Sequence, residues 1–292
     1  MDAVRLGHAH GPDGGPMLFA ESGGRRLEAP RTTLDALLAD PAALASTRQN
    51  LERRLAAGEG EPATDGELLP PVLRPGKIVA IGLNYLDHCR EFGTEPPTSP
   101  IVFPKLTSSL CGHGAAVRWN PEVTKEVDWE VELAVIVGRR LAHATPREAM
   151  AGVFGYTVLN DVTARDVQRA ETQWLRAKGI DTFCPMGPVA VTADEVPDPQ
   201  ALALRSRVNG RTMQDSTTSE MIFSVAELLA GLSRSFTLEP GDVLATGTPL
   251  GVGAFRDPPI FLQDGDVMEM EIEGIGVLRN RCSIEPANEE AT

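Results

Sequence analysis

Between residues 127 and 135 the chain reads Val-Asp-Trp-Glu-Val-Glu-Leu-Ala-Val, with large apolar residues at odd positions and Asp128, Glu130 and Glu132 at even ones. A two-residue period belongs to a β-strand, whose successive side chains point to opposite faces. Glu130 and Glu132 then project from one face about 6.6–6.8 Å apart, and carboxylates that close repel unless a cation lies between them. A second strand pattern, residues 152–159, ends at Asn160-Asp161 and leads into a helix pattern through Thr163, Arg165, Gln168 and Ala170. An acid placed there either caps the helix or supplies a third ligand. Converging, Glu130, Glu132 and Asp161 would offer three hard oxygen donors, the set preferred by Mg2+, Mn2+ or Ca2+ over softer metals. A 2-oxo acid could fill two of the remaining positions with a carboxylate oxygen and its keto oxygen. An isolated DxExE segment is more often an acidic, solvent-facing strand, so the surrounding elements decide.

Those elements divide into unequal parts. Residues 1–57 read as a small mixed unit, with a strand near Val4 to Leu6, glycine-rich turns and two helical patterns, the second running from Pro41 to Ala57 and stopped by Gly58. Residues 58–71, GEGEPATDGELLPP, are rich in Gly, Pro and acid and read as a linker. Beyond it, short β-type segments alternate with turn signals such as Asn209-Gly210 and Asp264-Gly265. The expected fold class is mainly β with helical inserts (α+β). Its expected parts are a small N-terminal domain with linker (1–70), a larger β-rich domain (71–285) and a C-terminal tail (286–292).

The 292 residues carry 27 Lys and Arg against 41 Asp and Glu, a formal charge of −14. Such a surface repels phosphate backbones and anionic membranes, which argues against a nucleic-acid or membrane partner. An anionic substrate therefore needs a local positive device. The cysteines at 89, 111, 184 and 282 form no CxxC pair, and with no apolar stretch of about 18 residues or leader pattern, a cytoplasmic location is expected. A GxSxG elbow, HExxH, P-loop and complete GxGxxG are all missing, which disfavours serine-hydrolase, zinc-protease and nucleotide chemistry.

Five ordered motifs carry a resemblance. They are Ile81-Gly82-Leu83-Asn84-Tyr85-Leu86-Asp87-His88, Asp128-Trp129-Glu130-Val131-Glu132-Leu133, Asn160-Asp161-Val162-Thr163-Ala164-Arg165-Asp166, Lys178-Gly179-Ile180-Asp181-Thr182-Phe183-Cys184-Pro185 and Thr246-Gly247-Thr248-Pro249. Together, over roughly residues 71–285, they resemble the fumarylacetoacetate hydrolase family. The resemblance implies a mixed β-sandwich or β-roll catalytic domain, a homodimer, and a divalent metal held by Glu130, Glu132 and Asp161. It also implies a His88–Glu91 dyad that activates water and Lys178 near the reacting carbonyl. Arg165, Gln168, Thr248 and Lys105 are candidate substrate contacts, while His113 is read as an exposed loop residue. The leading expectation is hydrolysis of a carbon–carbon bond in an acylpyruvate-like 2,4-dioxo acid. The alternatives are an oxaloacetate decarboxylase or 2-oxo-3-enoic acid isomerase on the same site, and a non-catalytic metabolite-binding protein.

Overall fold

The computed structural model describes residues 4–285 apart from 30 and 65; the tail expected at 286–292 lies outside the described residues. Three strands open the fold, β1 (Arg5–His10), β2 (Pro16–Ser22) and β3 (Arg25–Ala29), followed by helices α1 (Leu34–Leu38) and α2 (Pro41–Ala56). Asp40 caps α2 by accepting from the amides of Ala42 and Ala43, and Pro41 occupies a first-turn position that needs no N–H donor. Gly58 follows with φ +80°, within a residue of the expected stop.

The segment read as a linker is built into the structure. Within it, β4 (Glu61–Pro62) pairs with β3, Leu68 N donates to His113 O, and Leu69 N donates to His8 O. Leu68 is also buried against Phe19 and Val189. Glycine and acid content describes the surface of this segment, whereas its two leucines and its backbone pairing decide its placement.

The chain continues through β5 (Ile78–Gly82), α3 (Leu86–Phe92), β6 (Ile101–Lys105), β7 (Leu110–Cys111), β8 (Ala116–Trp119), β9 (Val127–Asp128), β10 (Val131–Val137), α4 (Pro146–Ala151) and β11 (Val153–Asn160). Next come β12 (Thr163–Ala164), α5 (Arg165–Ala170), α6 (Leu175–Lys178), β13 (Cys184–Thr192), β14 (Ala203–Val208), β15 (Arg211–Thr217), α7 (Val225–Ser235), β16 (Val243–Ala245), β17 (Val267–Ile272) and β18 (Gly276–Ile284). The result is mainly β with helical inserts. One large sheet runs β4-β3-β2-β1-β13-β11-β10-β16-β5-β6, and a smaller one runs β15-β14-β17-β18-β8. The N-terminal strands thus extend the large sheet through the pairing of Arg5 with Val191 and Leu6 with Ala190.

Strand β10 shows how this sheet is buried. Its odd residues, Val131, Leu133, Val135 and Val137, share a core with Met268, Met270, Ile272 and Leu278 of the smaller sheet. Its even residues Ala134 and Ile136 share a second core with Leu34, Leu37, Leu38, Leu51 and Leu55 of α1 and α2. Each such leucine is worth roughly 1.5–3 kcal/mol when buried rather than exposed, so the N-terminal helices are a structural half of this face. Arg48 of α2 adds an ion pair to Asp194, just beyond β13, at 2.6 Å.

The acidic stretch is not one continuous strand. β9 pairs with β12, the chain is interrupted at Trp129 and Glu130, and β10 pairs with β11. Side chains satisfy the freed amides: Trp129 N donates to Asp128 Oδ1, Glu130 N to Asn160 Oδ1, and Val131 N to Gln214 Oε1, at 2.8–3.0 Å.

Candidate active site

The even face of β10 changes character along its length. Ala134 and Ile136 lie in the core, one step toward the strand's start the same face presents Glu132, and Glu130 stands in the break just ahead of the strand. On the antiparallel neighbour, Glu132 pairs with Leu159 and Val131 with Asn160, and Asp161 N donates to Glu130 O at 2.9 Å. The register therefore sets Asp161 beside the two glutamates. All three are buried, and one carboxylate oxygen of each lies within 4.8 Å of the others. Asp161 does not cap the following helix, because Ala164 holds that position without a side-chain bond.

Three cations surround the cluster. Lys178 Nζ donates to Glu130 Oε2 and Asp161 Oδ2 at 2.8 and 2.7 Å. Lys105 Nζ donates to Asp161 Oδ1 at 2.5 Å, and Arg165 Nη2 lies 2.7 Å from Glu130 Oε1. Arg165 also serves buried Asp128, so four carboxylates meet three cations, and among the described residues no salt bridge reaches Glu132. Among the described residues Glu132 Oε2 accepts only the amide of Gly247, at 2.8 Å. That backbone approach requires glycine, since φ is +99° and a Cβ would meet Asn84 Cβ at 2.8 Å.

Burial, then Asp161 and Glu130, push the Glu132 carboxyl well above its usual range. Burial also works against Glu130 and Lys178, but there the ion pairs win. Glu130 is held below its usual range by Lys178 and Arg165, and Lys178 above its own by Asp161 and Glu130. The three grouped carboxylates fit a divalent cation: they are hard oxygen donors, and one of them lacks a counter-charge.

A cavity of about 380 Å³ opens on this cluster, lined among others by Glu130, Lys178, Arg165, Gln168, Thr248 and His88. His88 lies on α3, and its Nδ1 is 3.1 Å from Glu91 Oε2, as the i, i+3 spacing predicts. The helix is fixed in place from outside. Glu91 Oε1 accepts the amide of Gly251 at 2.9 Å, Asp87 accepts from Ser216 Oγ at 2.5 Å, and Gly93 ends the helix with φ +69°. Phe255 packs on the His88 ring with centroids 5.6 Å apart. Just ahead of the helix, Asn84 grips Thr246 O and both polar groups of Phe223.

The candidate substrate contacts differ in their placement. Gln168 accepts from Arg165 Nη1 at 3.0 Å, and Thr248 Oγ1 donates to Val131 O while accepting from Gln214 Nε2. All three line the cavity. Lys105 does not: its Nζ is enclosed by Asp161, Lys178 O at 2.6 Å and Val162 O, so it reaches a ligand only through Asp161. His113 is half-buried and accepts the amide of Arg279, away from the cavity.

Sequence reasoning missed several contributors. Asp128 accepts from Trp129, Gly253 and Ala254 amides and from Arg165 Nε, and so ties the cluster to the 253–255 turn. Its place in the DxExE alternation was the available signal. Phe92, Trp174 and Phe255 form cavity walls, and no local pattern marked them.

The fumarylacetoacetate hydrolase C-terminal family model matches residues 77–283. The chain belongs to that family. It is 46% identical over 254 residues to a mitochondrial oxaloacetate tautomerase of Bos taurus, across 86% of this chain and 80% of the relative. Against the oxaloacetate tautomerase YisK of Bacillus subtilis (strain 168), identity is 44% over 218 residues, spanning 74% and 72% of the two chains. A fumarylacetoacetate hydrolase from Exiguobacterium antarcticum superposes with a TM-score of 0.85 at 36% identity, covering 97% of this chain and all (100%) of that one. A 5-carboxymethyl-2-hydroxymuconate delta-isomerase from Mycobacterium smegmatis gives 0.75 at 35%, with 97% and 100% covered. The family's members are enzymes. Among the described residues no helix is long and apolar enough to cross a membrane.

Proposed function

We propose that this enzyme interconverts the keto and enol forms of a small 2-oxo diacid, with oxaloacetate the first substrate to test. One observation carries the reading: a buried carboxylate cluster, a fixed ammonium and a carboxylate-held imidazole share one cavity, on a chain 46% and 44% identical to two oxaloacetate tautomerases. Hydrolysis, the leading expectation from sequence, is supported at the level of the family alone. The isomerase alternative agrees with the named activity of these relatives.

Glu130, Glu132 and Asp161 would hold the divalent cation, Mg2+ or Mn2+ by donor type, and such an ion supplies Lewis-acid polarisation of a 2-oxo acid. Enolisation itself moves one proton from C3 to the C2 oxygen, with no other atom or electron required. Lys178, kept cationic by Asp161 and Glu130, donates a hydrogen bond toward the C2 oxygen as charge develops there. Glu91 engages Nδ1 of His88, which leaves Nε2 to take the C3 proton and pass it to the C2 oxygen, and to carry it back in the reverse direction. Arg165, Gln168 and Thr248 orient the carboxylate end, and Phe255 covers one side of the imidazole.

The test is to follow enol-oxaloacetate absorbance and C3 exchange in D2O with Mg2+ or EDTA, with products identified by mass. Accelerated interconversion without carbon–carbon cleavage, lost with EDTA and in His88→Ala, is the expected result. Pyruvate plus carbon dioxide would replace it with decarboxylation. Hydrolysis of an acylpyruvate, with oxaloacetate untouched, would restore the hydrolase reading.

A further inference from the structure

The cavity lining is of two kinds. Glu130, Arg165 and Lys178 give it charge, while Phe92, Phe103, Trp174 and Phe255 give it apolar surface. Among the described residues one further charged side chain lines it, Arg169. Arg165 and Lys178 are enclosed, each in contact with two carboxylates of the site. Their charge is therefore committed before a substrate arrives. Arg169 is different: it follows Arg165 by four residues on α5, a spacing that puts both on one helix face. It stands one turn further out and pairs with Glu126, the two side chains being 59% and 31% exposed. An ion pair so placed contributes little, so the guanidinium can exchange Glu126 for a less hydrated anion within the cavity.

We propose that Arg169 determines specificity for a second carboxylate, pairing with the distal carboxylate of a 2-oxo diacid whose 2-oxo acid end occupies the carboxylate cluster. This rests on the diacid reading above. A chain of net charge −14 repels a dianion more than a monoanion, so preference for the dianion needs a local cation whose present partner is exchangeable. Arginine suits the task because its planar fork matches a carboxylate with two parallel hydrogen bonds. Glu126 then competes with the substrate for the same guanidinium.

The experiment compares oxaloacetate with its 4-methyl ester, a monoanion of the same keto–enol chemistry, in the full chain with Mg2+. Enol-decay kinetics and calorimetric binding are measured for wild type, Arg169→Ala and Arg169→Lys. The ratio of kcat/KM for oxaloacetate over the ester is expected to fall about tenfold or more in Arg169→Ala, chiefly through KM. Arg169→Lys should recover part of it. An unchanged ratio in Arg169→Ala, or a wild type that binds both ligands equally, overturns the proposal. Calorimetry keeps the two claims apart. A wild type that prefers the diacid but turns over neither compound refutes the tautomerase reading, and loss of that preference in Arg169→Ala still supports the role of Arg169.

Discussion

Arg165 Nε lies 2.8 Å from Asp128 Oδ2, with both side chains buried. The same carboxylate accepts the amides of Gly253 and Ala254 at 2.7 and 3.0 Å, so one residue sets both a ligand-side guanidinium and the turn that carries Phe255. Removing it leaves Arg165 with its charge half answered.

Asp128→Ala is therefore expected to destabilise the fold by about 3–5 kcal/mol, the usual cost of stranding one member of a buried pair. Asp128→Asn keeps an acceptor for the amides and should fall between the variant and wild type. Urea unfolding measures both. A loss below about 1 kcal/mol for the alanine variant would show that Glu130 alone satisfies Arg165.

Glu132 offers a test with a change of sign. Without a metal it is a buried carboxyl beside two other acids, so Glu132→Gln should leave the EDTA-treated protein at least as stable as wild type. With Mg2+ near a hundredfold above its dissociation constant, wild type should gain about 2.7 kcal/mol, a melting shift of roughly 5–10 °C, and the glutamine variant little. Equal Mg2+ shifts in both proteins would remove Glu132 from the ligand set.

His88→Ala should lower kcat about 10²–10⁴-fold, the range for loss of a general acid–base, while the Mg2+-dependent melting shift persists. Glu91→Gln keeps an acceptor for Gly251 N and should cost less. If His88→Ala also abolished the metal response, the residue would be acting on the cluster instead of on a proton.

At the other end of the sheet, His8 Nε2 accepts the amide of Leu34 at 3.0 Å and Nδ1 lies 3.2 Å from Pro70 O, which fits a neutral ring protonated at Nδ1. Burial holds its pKa below the ordinary 6.5. As pH falls past 6.5 the unfolded chain takes up the proton first, so the contribution is complete above 6.5 and is lost toward the folded pKa. Urea midpoints at about pH 7.5 and 5.5 should decline less in His8→Asn than in wild type. Parallel declines would assign the acid sensitivity elsewhere.

Much of the site was legible because it depends on local periodicity. Alternation singled out Glu130 and Glu132, and the i, i+3 spacing put His88 against Glu91. The break at Trp129 and Glu130 was not legible, because the groups that satisfy those amides include Asn160 and Gln214, distant in sequence. The placement of Lys105 was not legible for a similar reason. A lysine ending a short strand gives no hint that Asp161, 56 residues away, will enclose it.

The continuous sheet also bears on how the chain can be divided. A fragment beginning at residue 71 would contain the whole family match and every candidate ligand, yet it would lose the strand paired to β13 and the five leucines covering Ala134 and Ile136. An unpaired edge beside an uncovered apolar face is a template for self-association. Such a fragment should be recovered as aggregate, whereas the longer chain, with its N-terminal strands in place, should stay dispersed.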